Sequence, residues 1–152
     1  MSTMSPEAIL DAMMANDAHS AWLGIHRMGE SLGWCMIRMT VRADMCNGFG
    51  VCHGGVTFAF ADSCFAFACN TRGHHAVSIE SNITHLAPVH AGDILLAEAE
   101  EQSMSRQFGV YYVKVRNEHT GKTVALFKGT CYRKNEKWEE QNATSGSHPH
   151  QG

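Results

Sequence analysis

The stretch from Gly54 to about Asn70 constrains the fold more than any other part of the chain. Phe58, Phe60, Phe65 and Phe67 stand in it with alanines between them, so as a helix it is apolar nearly all round. Such a helix has to be buried. Gly54-Gly55 opens it and Arg72-Gly73 ends it. A sheet wrapped around this helix would bury it, and the rest of the chain supplies one. Residues 76–86, 94–102, 108–117 and 123–133 read as strands, and the breaks fall at 88–93, 103–106 and the turn Glu118-His119-Thr120-Gly121. Short loops of this kind imply an antiparallel meander.

Upstream, Ser5-Pro6-Glu7 is an N-cap with proline at the first helical position, and Ile9, Leu10, Met13 and Met14 follow at helical spacing. Between Gly24 and Met45 the pattern turns to alternation. Cys35, Ile37, Met39 and Val41 share one face, while Trp34, Met36, Arg38, Thr40 and Arg42 share the other, which predicts one or two strands. The expected class is α+β, an antiparallel sheet around a long central helix.

The 152 residues make one domain with a core of its own, expected over 1–134, and the polar stretch 135–152 with Ser145-Gly146-Ser147 reads as a disordered tail. Net charge is −3 with both signs scattered, so neither nucleic acid nor an anionic membrane surface is an expected partner. The six cysteines, four of them in apolar surroundings, read as reduced thiols. Met1 to Ser5 lacks the basic and apolar regions of a secretory signal, and the longest apolar run contains Asp62. The expected location is the cytoplasm.

The chemistry concentrates at the central helix. Free amides at a helix N-terminus carry the positive end of the dipole, so Gly54 or Gly55 can hold a developing oxyanion, and two glycines let a ligand approach the backbone closely. The competing reading of the pair is close packing alone. Asp62 shares its helix face with Phe58, Ala59, Phe65, Ala66 and Cys69. Desolvation there strengthens a carboxylate as base or nucleophile. The alternative is a carboxylate that caps a loop or pairs with an arginine such as Arg72.

Gly54 and Asp62 are eight residues apart, roughly 12 Å along the axis at about 1.5 Å per residue. One chain's pair therefore cannot meet on one carbonyl, since each group has to lie within about 3 Å of the reacting atoms. A site using both needs Gly54 of one subunit and Asp62 of another.

With these residues in view, the chain resembles the hotdog-fold acyl-CoA thioesterases, in the PaaI branch associated with phenylacetate breakdown. The likeness covers residues 8–133 and is most specific at Asn47-Gly48, Cys52-His53-Gly54-Gly55, Ala61-Asp62 and Phe65-Ala66-Phe67-Ala68-Cys69-Asn70. It continues through Ser78, Asn82-Ile83-Thr84, Pro88 and Gly92-Asp93. The resemblance implies subunits paired edge to edge into a homodimer or a homotetramer of two such dimers. The thioester carbonyl would sit at the Gly54 amide, and Asp62 of the facing subunit would serve as general base or nucleophile.

By the same resemblance Asn47 orients the nucleophilic group, His53 is the histidine before the glycines, and Ser78 positions water. Gly55, His85, Ser105 and Arg106 fall where relatives touch substrate or CoA, although the segment Gln102-Ser103-Met104-Ser105 has no lysine, unlike the basic loops of some relatives. Taken alone, Asn47 reads as a turn residue, His53 as a loop-stabilising side chain, and Ser105 and Arg106 as a solvated hairpin tip.

The implied reaction is hydrolysis of phenylacetyl-CoA or hydroxylated phenylacetyl-CoA to the acid and free CoA, with no metal or other cofactor. The alternative is a hotdog protein that binds acyl-CoA without turning it over, against which a desolvated Asp62 argues. A zinc site at Cys46, Cys52 and His53 with His74, His75 or His85 lacks the paired Cys-x-x-Cys spacing. A dehydratase on the same fold would want a histidine paired with the aspartate in another motif, which is not found here.

Overall fold

A computed structural model describes residues 3–140. Helices α1 (Pro6–Ala15) and α2 (Ala18–Leu23) lead into strands β1 (His26–Ser31) and β2 (Trp34–Thr40). A short 3-10 turn (Ala43–Met45) precedes the central helix α3 (Gly54–Asn70), followed by β3 (His74–His85), β4 (Ile94–Met104), β5 (Phe108–Asn117) and β6 (Thr123–Lys137). Both short helices start where a side chain takes up a free amide. Ser5 accepts from Ala8 N, and Asp17 accepts from Ser20 N. Gly24, at φ 73°, closes α2 in the left-handed region.

The six strands form one antiparallel sheet in the order β1-β2-β4-β5-β6-β3. Strands β4, β5 and β6 are the expected meander. β3 departs from it by pairing with β6 at the far edge, with Ile83 opposite Phe127 and Ser78 opposite Cys131. Composition explains the exchange, because β3 is polar on both faces, with Ser78 and Ser81 toward the helix and Glu80, Asn82 and Thr84 outward, whereas the central β4 keeps Leu95, Ala97 and Ala99 toward the helix.

The inner face of the sheet packs on α3 through Ile37, Met39, Leu95, Ala97, Val113 and Phe127, all buried. The helix is not sealed on every side, however. Sheet, α1 and α2 cover Phe60, Cys64, Phe65 and Phe67, whereas Gly55, Phe58, Ala59, Asp62, Ser63 and Ala66 keep some exposure. These residues recur every three or four positions and so form one open stripe.

Strand β6 runs to Lys137, past the boundary expected at 134. Trp138 then folds back, its ring 4.4 Å from that of His75 and its Nε1 donating to Asn70 Oδ1 at 3.0 Å. The remainder of the expected tail, from residue 141, lies outside the described residues. Among the described residues no helix is long and apolar enough to cross a membrane.

Candidate active site

The N-terminus of α3 is assembled by the loop before it. Asn47 N donates to Val51 O (2.8 Å), and Asn47 Oδ1 accepts from Phe49 N (2.9 Å) and Val51 N (3.3 Å). Asn47 thus holds the loop's turn, with Gly50 at φ 77° supplying the left-handed residue. His53 is the N-cap of α3, and its Nδ1 accepts the Gly55 amide at 2.9 Å. That bond fixes the tautomer, so a neutral His53 carries its proton on Nε2.

With Gly55 capped and Val56 N turned back to His53 O (2.9 Å), the Gly54 amide makes no hydrogen bond among the described residues. It opens beside a cavity of about 450 Å³ lined by Cys52, Gly54, Thr57, His85, Pro88 and Val124. The His85 ring stands over Gly54, where a Cβ would lie 3.1 Å from His85 Nε2. A side chain at this position would press on the exposed His85 ring, which would have to give way by a few tenths of an ångström. A larger groove of about 540 Å³, lined by Glu98, Glu100, Tyr112, Lys114 and Lys128, lies on the outer face of the sheet, away from α3.

Asp62 lies two turns further along α3, half-buried on the open stripe. Burial pushes its carboxyl above the ordinary carboxylate range, and the charge of His19 partly opposes this. An ion pair with Arg72 is not formed. Arg72 is taken by Glu101, with Nε to Oε2 at 3.0 Å and Nη2 to Oε1 at 2.9 Å. Burial works against the Glu101 charge, yet the hydrogen bonds from Arg72 and Tyr111 prevail and hold its carboxyl below the usual range.

The remaining candidates sit at the other end of the sheet. Ser78 is exposed on β3 opposite Cys131, hence on the helix side of the sheet. Ser105 Oγ accepts from Phe108 N (3.1 Å) at the β4–β5 hairpin, and Arg133 Nη1 donates to the Ser105 and Arg106 carbonyls (3.1 and 3.3 Å). His85 lies seven positions after Ser78 along β3, about 23 Å at about 3.3 Å per residue. One chain therefore gathers Asn47, His53, Gly54, Gly55 and His85 at one end of the molecule. Ser78, Ser105 and Arg106 are at the other end, and Asp62 lies between.

Two residues near these groups escaped the sequence reading. Thr57 is a buried polar residue on the wall of the cavity beside Gly54. His19 reaches Asp62 because α2 docks on α3 through Ser20 Oγ and Ser63 Oγ, 3.0 Å apart. The only advance sign of α2 was its caps, Asp17 and Gly24.

A six-stranded antiparallel sheet curled on one long helix defines the hotdog fold, and here that helix carries a free amide at its N-terminus and a half-buried carboxylate along it. The model of the thioesterase superfamily matches residues 49–124. Acyl-coenzyme A thioesterase PaaI of Escherichia coli K12 is 43% identical over 122 residues, covering 80% of this chain and 86% of that protein. Human acyl-coenzyme A thioesterase 13 is 28% identical over 131 residues, covering 84% and 94%. The solved structure of the E. coli PaaI protein from the phenylacetic acid degradation operon has a TM-score of 0.84 at 40% identity, covering 87% of this chain and 95% of that one. The chain belongs to the thioesterase superfamily and is a hotdog-fold thioester hydrolase.

Proposed function

We propose that the protein hydrolyses acyl-CoA thioesters of the phenylacetyl or ring-hydroxylated phenylacetyl kind, releasing the acid and free CoA. The observation that carries this reading is the unbonded Gly54 amide at the head of α3, together with the half-buried Asp62 two turns on. Relatives named as acyl-coenzyme A thioesterases, one of them from a phenylacetic acid degradation operon, support the substrate class.

The thioester carbonyl oxygen accepts from Gly54 N–H, where the helix dipole favours the charge that develops on it. Asp62 either takes a proton from the attacking water or attacks the carbonyl carbon itself. The C–S bond then breaks, the CoA thiolate leaves and is protonated, and on the nucleophilic route water then hydrolyses the acyl-aspartate to release the acid and restore Asp62. Asn47 orients the nucleophilic group, Ser78 positions water, and His53 caps the Gly55 amide so that the Gly54 amide is the one left free for the carbonyl. Gly55, His85, Ser105 and Arg106 contact the CoA portion, Arg106 through phosphate.

Gly54 and Asp62 of one chain are too far apart for one carbonyl, so the site is shared between two subunits. Strand β3 supports this: it is a long edge strand with Val77 and Ile79 exposed. Pairing it antiparallel with its copy brings the Ser78 end of one chain to the His85 end of the other. The assembly is a homodimer or a homotetramer of such dimers. All six cysteines are free, which suits a reducing cytoplasm.

The test is a CoA-release screen over aryl and linear acyl-CoAs, run on the parent and on Asp62→Asn. The parent turns over arylacetyl-CoA fastest, and the variant loses on the order of 10²-fold or more in kcat. Equal rates remove Asp62 from the chemistry. Trapping an acyl-aspartate identifies a nucleophile.

A further inference from the structure

The segment ahead of α3 doubles back as a short ribbon. His53 N donates to Met45 O and Asn47 N to Val51 O, each at 2.8 Å, and Cys46 faces Cys52 between them as an isolated antiparallel bridge. The bonds are made by the flanking residues, not between the two cysteines. They are therefore a non-hydrogen-bonded pair, with Cα atoms about 4.5 Å apart and side chains on the same side. That lies within the range of about 4.4–6.8 Å in which a disulfide closes without moving the backbone.

Both thiols are free and only weakly engaged. Cys46 Sγ is 3.7 Å from Arg42 O, and Cys52 Sγ is 3.7 Å from His53 O and 3.9 Å from Thr57 Oγ1. The other four are shut between helix and sheet: Cys35 and Cys64 are 0% exposed, Cys69 2% and Cys131 1%. Cys46 is half-buried and so is the thiol that a solute can reach. Burial pushes the Cys52 thiol up, which suits it to resolve rather than to start an exchange.

We propose that Cys46 and Cys52 form a reversible thiol–disulfide site, oxidised by a low-molecular-weight disulfide, whose closure clamps the loop carrying Asn47. The Cys46 thiolate attacks one sulfur of the disulfide, forming a mixed disulfide and releasing one thiolate. Cys52, deprotonated by solvent, attacks the Cys46 sulfur and expels the second thiolate. The two protein thiols give up two electrons and two protons, and the small disulfide becomes two thiols.

Closure reaches the site through the backbone. Cys52 N donates to Val89 O (2.7 Å), and both residues line the cavity beside Gly54. This effect on turnover rests on the thioesterase reading above, whereas formation of the bond does not.

The test treats the full-length protein with glutathione disulfide in one arm and CoA disulfide in the other, alkylates remaining thiols, and maps peptides by mass. A Cys46–Cys52 cross-link is expected, reversed by dithiothreitol, and the faster arm identifies the oxidant. kcat/KM is expected to fall about tenfold on oxidation, short of the ~10²-fold that a 1 Å misplacement costs. Cys46→Ser retains hydrolysis and does not respond to either disulfide. A mixed disulfide that never closes, or cross-links spread over Cys35, Cys64, Cys69 and Cys131, overturns the site. Full oxidation with parent activity overturns the clamp. Because the cross-link is read by mass, its outcome stands even if no acyl-CoA is hydrolysed.

Discussion

Replacing Gly54 with alanine separates catalysis from stability. Gly54 does not have a positive φ, so alanine brings no backbone strain. The new Cβ would lie 3.1 Å from His85 Nε2 and 3.4 Å from its Cε1. His85 is exposed at the end of β3, so its ring can swing aside. Alanine also has the better helix propensity, by up to about 1 kcal/mol in a helix interior. Stability should therefore stay within about 1 kcal/mol of the parent.

Under the proposed mechanism, the methyl group stands where the thioester carbonyl approaches the amide. A displacement of the carbonyl by about 1 Å costs on the order of 10²-fold, or about 2.7 kcal/mol of transition-state stabilisation. The control is Gly129→Ala, whose Cβ would come within 2.8 Å of the Phe65 ring. Phe65 is 1% exposed and packs against Tyr111 and Phe127 at 5.7 and 5.9 Å, so it cannot yield. Overpacking there costs about 1–3 kcal/mol. Urea unfolding with CoA-release kinetics measures both variants. A Gly54→Ala protein with parent kcat/KM per folded molecule, or one that loses several kcal/mol, refutes the reasoning.

His19→Ala removes the charge that opposes desolvation of Asp62, so the acid limb of the kcat/KM profile should move to higher pH; an unmoved limb counts against that coupling. Asp62 itself has a folded pKa above its unfolded one, so the folded chain holds the proton more tightly and stability falls as pH rises through that window. Asp62→Asn should accordingly be more stable than the parent at pH 7, with the gap closing below about pH 4 in denaturant titrations. Glu101 has the opposite sign, since its pKa is depressed and its contribution is lost as pH falls through the folded value. Glu101→Gln should cost about 1–3 kcal/mol at pH 7 by chemical denaturation, having weakened two bonds from Arg72 and one from Tyr111 (2.8 Å), and should lose less on acidification than the parent.

What could be read in advance follows from which interactions are local. The ends of α3 were legible because Gly54-Gly55 and Arg72-Gly73 act on their own neighbours. The strands were legible from alternation, to within a few residues at the ends of β4 and β6. The edge position of β3 was not, because it depends on competition among strands for the sheet centre. The six residues of α2 are too few for a helical period, and with α2 went the approach of His19 to Asp62. At the site, the motif singled out Gly54 and Asp62, and helix geometry kept them apart. The capping of Gly55 by His53 and the engagement of Arg72 by Glu101 required coordinates, since both depend on side-chain direction.

The most direct test of a site shared between chains is to mix Asp62→Asn with Gly54→Ala under conditions where subunits exchange. Each mixed dimer then holds one intact pair, Gly54 from one chain and Asp62 from the other. Random exchange of equal amounts should restore about a quarter of the parent's CoA release, far above either variant alone. Verified exchange with no recovery would contradict the shared site and require Gly54 and Asp62 to act within one chain.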